Sequence, residues 1–173
     1  PFCDVIVKSE GEYTFASLIE NWIKGEDYTT IPGLLINNDG KCKDTGAGER
    51  INDLDSVPSP YLSGVFNSIL PMEKEWNAVI ETNRGCPYKC TFCDWGSLTY
   101  SKVKKFNLTR VFHEIEWMSE NKIGYMDVAD ANFGMYKERD LEIARIIKEV
   151  ADRSTIDSVN LIYAKNSTEI VFE

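Results

Sequence analysis

Apolar and polar positions change their period several times along this chain, and each change marks an element. Cys3 to Lys8 (CDVIVK) is rich in β-branched residues and reads as a short strand. After the turn Ser9-Glu10-Gly11-Glu12, Phe15, Leu18, Ile19, Trp22 and Ile23 recur at i, i+3, i+4, i+7 and i+8, one face of an amphipathic helix. Thr14 is placed to cap its start and Gly25 to stop it. Ile31-Pro32-Gly33 opens an apolar run, Leu34 to Ile36. Asn38-Asp39-Gly40-Lys41 predicts a hairpin turn, with Asp-Gly supplying the left-handed positions. Cys42 falls on the return strand as a small side chain.

Residues 44–75 lose sustained periodicity. Gly46, Gly48, Pro58, Pro60 and Pro71 mark them as a connection. Ile51, Leu54, Val57, Tyr61 and Leu62 would anchor it on a surface. From Trp76 the pattern alternates strand and helix. Ala78 to Thr82 is a strand; Leu108, Val111, Phe112, Ile115 and Met118 mark a helix capped by Asn107. Gly124 to Ala129 is a second strand, about Lys137 to Arg153 a second helix, and Ser158 to Ala164 a third strand. The order β-α-β-α-β predicts an α/β fold of parallel strands with right-handed crossovers. At about 30 residues per βα unit, residues 76–173 hold roughly three units, against about 250 residues for a closed eight-fold barrel. The chain therefore reads as a piece of a longer protein, its first residues already domain interior and its last strand leaving an edge to be covered.

Composition narrows the classes. The chain has 173 residues and 43% hydrophobic content, enough for a genuine core. Its net charge is −9, from 28 acidic and 19 basic residues, which argues against a nucleic-acid-binding surface. The one basic cluster, Lys102, Lys104 and Lys105, reads as a solvated stretch before a helix. No apolar run approaches the roughly 18 residues of a membrane span.

Candidate chemistry lies in Arg84-Gly85-Cys86-Pro87-Tyr88-Lys89-Cys90-Thr91-Phe92-Cys93-Asp94-Trp95-Gly96, which follows the first strand of the alternating half. Cys86, Cys90 and Cys93 are spaced C-x3-C-x2-C, and no fourth cysteine is near. A closed zinc site needs four ligands and would have to recruit Cys3, Cys42 or His113. Five cysteines make an odd count for a disulfide framework. A 4Fe–4S cluster on three thiolates keeps one iron without a protein ligand. A non-catalytic zinc or iron–sulfur module, structural or electron-carrying, is the alternative.

The triad, with aromatic Phe92 before its last cysteine, resembles the cluster motif of the radical S-adenosylmethionine (SAM) enzymes. That resemblance implies a 4Fe–4S cluster on Cys86, Cys90 and Cys93. It also implies SAM chelated at the open iron and reductive cleavage of SAM to a 5′-deoxyadenosyl radical. Phe92, Trp95, Gly96, Asp130 and Asn132 become its cofactor-facing residues, with Lys165 and Asn166 as further polar contacts. Outside the triad, Asp4 to Phe15, Ile31-Pro32-Gly33-Leu34, the Asp53-Leu54-Asp55…Pro58-Ser59-Pro60 junction, Thr82-Asn83-Arg84-Gly85 and Asp130-Ala131-Asn132-Phe133-Gly134 are similar to the cobalamin-dependent branch. The architecture implied is the tail of a doubly wound cobalamin-binding domain over residues 1–43, a linker over 44–75, and a partial radical SAM (β/α) barrel over 76–173. There is no Asp-x-His-x-x-Gly cobalamin motif, and the single histidine, His113, is mid-helix. The resemblance thus assigns cobalamin to a longer parent. It implies methylation or rearrangement of a substrate the sequence does not identify, an electron donor of the flavodoxin or ferredoxin class, and a reducing cytoplasm.

Overall fold

The computed structural model describes residues 3–70, 75–88, 90–93 and 103–163. The chain divides into two compact units, Pro1–Asp53 and Leu54–Glu173.

The first unit is a three-stranded antiparallel sheet with one helix. Strands β1 (Val5–Val7), β2 (Leu34–Asn38) and β3 (Lys41–Asp44) lie in that order, with Val5 opposite Ile36 and Asn38 opposite Lys41. Asp39 and Gly40 take φ of 49° and 83° in the two-residue turn the sequence predicts. Helix α1 (Glu12–Lys24) starts earlier than expected: its N-cap is Gly11, whose carbonyl accepts from Phe15 N at 2.7 Å. Thr14 is inside the helix and buried, its hydroxyl donating to Pro32 O at 3.4 Å. It is a packing residue, not a cap. Gly33, at φ +91°, sits against it, and a Cβ there would lie 3.0 Å from both Thr14 Oγ1 and Gly48 Cα. At the other end Gly25 is left-handed (φ 70°), with Gly25 N bonded to Trp22 O and Glu26 N to Asn21 O, the paired bonds of a Schellman cap. Before the helix, Glu10 accepts from Ile51 N at 2.9 Å. Of the helix's apolar stripe, Leu18 and Ile19 are half-buried, while Phe15, Trp22 and Ile23 are 55%, 68% and 74% exposed.

The second unit holds a parallel sheet in the order β4 (Trp76–Ile80), β7 (Ile123–Phe133), β8 (Ser158–Tyr163). An antiparallel ribbon of β5 (Asn83–Arg84) and β6 (Lys104–Lys105) follows β4, a feature the periodicity does not signal. Helices α2 (Leu108–Glu120) and α3 (Lys137–Ala151) make the crossovers. Ala78, Ile80, Met126 and Val128 form the sheet's buried layer. Val111, Ile115 and Met118 of α2 and Ile143, Ile147 and Val150 of α3 complete that core. Asn107 caps α2 as expected, accepting from Thr109 N at 2.9 Å. The opposite sheet face is more polar: Asn160 donates to Asp127 across β7 and β8 at 2.8 Å.

Residues 54–57 are tied to the start of α2. Arg110 donates to Val57 O at 2.6 Å and to Glu114 at 3.0 Å, and Asp55 accepts from Asn107 N at 2.9 Å. Tyr61 covers the outer edge of β4: its hydroxyl donates to Val79 O and accepts from Val79 N at 3.0 Å. Its ring packs 5.1 Å from Trp117 and 5.6 Å from Phe66. That edge is blunted by a side chain rather than a strand.

Candidate cofactor site

The site is built where β4 ends and the chain turns into the cysteine loop. β7 pairs with β4 only as far as Val128, opposite Ile80. The next β7 residues therefore run past β4 and lie beside residues 82–86. β7 continues four residues beyond the strand read from the sequence, because its register against β8 shifts between Val128 and Phe133 and pairing resumes after the irregularity. Asp130 and Asn132 are thus strand residues, alternating on the face that buries Met126 and Val128.

Asp130 is fully buried and gathers four donors. Its Oδ1 accepts from Thr82 N at 2.6 Å and Asn83 N at 3.1 Å. Its Oδ2 accepts from Asn83 Nδ2 at 2.6 Å and from the Thr82 hydroxyl. Burial pushes its carboxyl up to about 6, against the opposing pull of these donors. At neutral pH it is mainly a carboxylate, the form that can accept all four. Arg139 reinforces the same point, bridging Thr82 O at 3.0 Å and Phe106 O at 2.8 Å. Asp140 orders the turn before α3 by accepting from Gly134 N and Tyr136 N at 2.8 and 2.9 Å.

This framework delivers Gly85 and Cys86. Gly85 takes φ 115°, a conformation that favours glycine. Cys86 is half-buried, and Asn132 Nδ2 donates to its Sγ at 3.1 Å. Cys90 and Cys93 are also half-buried free thiols, joined by a turn in which Cys93 N donates to Cys90 O at 3.1 Å. Glu81, Asn83, Arg84 and Cys86, with Ala129 and Ala131, line a pocket of about 60 Å³. Arg84 pairs with Glu81 there, at 2.8 Å from Nη2. Asn83 Oδ1 is buried with no hydrogen-bond partner.

Among the described residues no three His, Cys, Asp or Glu side chains stand in a ready metal-holding geometry. The triad is a donor set on one loop, chemically suited to an iron–sulfur cluster or another thiophilic metal, rather than a closed cage. Cys3 and Cys42 are exposed in the first unit, and His113 is exposed on α2. Of the residues singled out from sequence, Cys86 and Asn132 are in contact. Asp130 sits behind Thr82 and Asn83, and Phe92 is 78% exposed. Trp95, Gly96, Lys165 and Asn166 lie outside the described residues. Sequence reasoning missed Thr82, Asn83 and Arg139. The signal for the first two was a polar run, Glu81-Thr82-Asn83-Arg84, directly after an apolar parallel strand, where such folds build their sites.

No family model matches the chain. The whole chain is 40% identical to 2-(S-pantetheinyl)-carbapenam-3-carboxylate methyltransferase from Streptantibioticus cattleyicolor, of which it spans 26%. It is 37% identical, again over its whole length, to the cobalamin-dependent radical SAM methyltransferase TokK from Streptomyces tokunonensis, of which it also spans 26%. The chain belongs to the cobalamin-dependent branch of the radical SAM superfamily. Its fold agrees. The radical SAM methyltransferase TsrM from Kitasatospora setae superposes with a TM-score of 0.57 at 20% identity, over 82% of this chain and 28% of that one. TsrM has been solved with tryptophan and a SAM analogue bound, and separately with cobalamin and a [4Fe-4S] cluster bound. The radical SAM chain described here thus spans about a quarter of its relatives.

Proposed function

We propose that Cys86, Cys90 and Cys93 hold a 4Fe–4S cluster and that the whole protein uses it to cleave SAM reductively in cobalamin-dependent methyl transfer. The supporting observation is a loop of three half-buried thiols at the C-terminal end of a parallel strand, with Cys86 already held by Asn132. When bound, such a cluster supplies one electron and an iron open to the amino and carboxylate groups of SAM. The chain's own residues orient the loop. Asp130 and Arg139 clamp Thr82, Gly85 makes the bend, and Asn132 holds the first sulfur. By resemblance Phe92, Trp95 and Gly96 would contact SAM, while Ala129 and Ala131 line the pocket from β7 and Asp130 and Asn132 hold Thr82, Asn83 and Cys86 from the core side. Glu81 and Arg84 keep its mouth polar.

In this reading residues 76–173 are the N-terminal part of a radical SAM barrel, 1–43 the C-terminal part of a cobalamin-binding-like domain, and 44–75 the join. Methyl transfer is preferred to rearrangement because both relatives at 37–40% identity carry that activity in their names. Cobalamin belongs to the whole protein. The electron donor is of the flavodoxin or ferredoxin class. No described helix is long and apolar enough to cross a membrane, and free thiols suit a reducing cytoplasm.

The test is anaerobic reconstitution with iron and sulfide, reduction with dithionite, and electron paramagnetic resonance with and without SAM. A 4Fe–4S signal that shifts with SAM is expected. Serine at Cys86, Cys90 or Cys93 should abolish it, while Cys3→Ser and Cys42→Ser should preserve it. Metal binding lost in either of the last two would make the site a four-ligand structural centre instead.

A further inference from the structure

We infer that Asn132 is a positioning residue that acts through Cys86: its amide N–H orients the sulfur and makes a cluster bound there easier to reduce. The inference rests on the assignment of the triad to a cluster. The geometry is specific. Asn132 is buried on the core-facing side of β7, four residues past the last pairing with β4, and its Nδ2 stands 3.1 Å from Cys86 Sγ. A thiol is a weak acceptor and a poor reason to bury an amide, whereas a thiolate is a strong one. Asp130, two residues back on the same face, clamps Thr82 and Asn83, so the sulfur is held from both the loop and the strand.

The consequence for redox chemistry follows from charge. Reduction adds one electron from an external low-potential donor, with no bond made or broken, and part of the added charge resides on the ligand sulfurs. A fixed N–H donor stabilises that charge-rich state more than the oxidised one. Hydrogen bonds to cluster sulfurs are among the factors that set reduction potential. Asn132→Ala removes the donor. Asn132→Asp keeps the shape and replaces the donor with an anion, so it should lower the potential further.

The experiment is a dithionite titration of the reconstituted chain, followed by electron paramagnetic resonance, with Fe–S stretching frequencies read by resonance Raman. Urea midpoints of both apo variants report folding. The expected order of potentials is wild type, then Asn132→Ala, then Asn132→Asp. For Asn132→Ala, about a tenfold loss of reduced cluster at fixed potential is expected, about 59 mV for one electron. Shifted Fe–S frequencies should accompany it. A wild-type cluster with unchanged potentials in both variants would overturn the role of Asn132 alone. Failure of the unsubstituted chain to assemble any cluster would overturn the assignment of the triad and this inference with it.

Discussion

The Asp130 knot makes the sharpest stability prediction. Asp130→Ala removes an acceptor from four buried donors. The Thr82 hydroxyl can rotate and the Asn83 side chain can shift, but the backbone N–H groups of Thr82 and Asn83 are fixed by the chain. Each unpaired buried N–H costs about 1–3 kcal/mol, partly offset because a charge is no longer buried, so about 2–4 kcal/mol should be lost. Asp130→Asn behaves differently. Its amide oxygen can take the place of Oδ1 and keep both backbone bonds. Its new NH2 meets Asn83, whose Oδ1 is buried and unpartnered and can turn to accept. Weaker neutral bonds are offset by relief of the buried charge, leaving a net change within about 1 kcal/mol. Urea unfolding of the reduced chain at pH 7 reads both. With a slope of about 2 kcal/mol per molar, the alanine variant should lose about 1–2 M in midpoint. Equal losses in the two variants, or no loss in Asp130→Ala, would refute the geometry.

The same carboxyl imposes a pH dependence. Its folded pKa, about 6, lies above the unfolded value near 3.8, so the native state holds the proton more tightly. Stability from this group is fully present below pH about 4 and is lost as pH rises through about 6, by about 3 kcal/mol in total. Asp130→Asn should abolish that component in urea titrations across pH 4–7. Arg139→Met removes donors to Thr82 O and Phe106 O and should cost about 2 kcal/mol, read as a lower thermal midpoint. Tyr61→Phe deletes both bonds to the β4 edge; about 1 kcal/mol should be lost, and Val79 amide exchange should quicken. Gly33→Ala forces a left-handed φ and a Cβ 3.0 Å from Gly48 Cα, so it should destabilise by more than about 1 kcal/mol.

Much of this architecture was legible because period and punctuation agreed. The Asp39-Gly40 turn, the Gly25 stop and the Asn107 cap stand where their signals place them. The three parallel strands exist as read, although the first lies two residues earlier (Trp76–Ile80 against Ala78–Thr82) and the second runs on to Phe133. The site was legible at its cysteines, since ligand type and spacing are chemical facts of the chain. What stayed hidden depends on distance in space. Thr14 looked like a cap because its type favours caps, but close packing with Gly33 and Gly48 claims it as an interior residue. Asp130 and Asn132 looked like loop residues because polar side chains past an apolar run usually are. β7 continues through them because each side chain has a partner 46 to 48 positions earlier, at Thr82, Asn83 or Cys86. No window-based reading can see such a partner.

That long-range pairing also explains how an open donor set can be useful. Cys86 is the anchored end of the triad: the Asp130 clamp, the Gly85 bend and the Asn132 amide all act within four residues of it or on it directly. Cys90 and Cys93 share a turn in which Cys93 N donates to Cys90 O. Holding Cys86 fixes where one ligand of a bound cluster would stand. The stability of the Asp130 knot and the assembly of the cluster should therefore be coupled. Asp130→Ala should lower iron incorporation at a fixed iron and sulfide supply, while Asp130→Asn, which keeps the two backbone bonds, should load nearly as well as the unsubstituted chain. Equal loading of all three would separate the knot from the site.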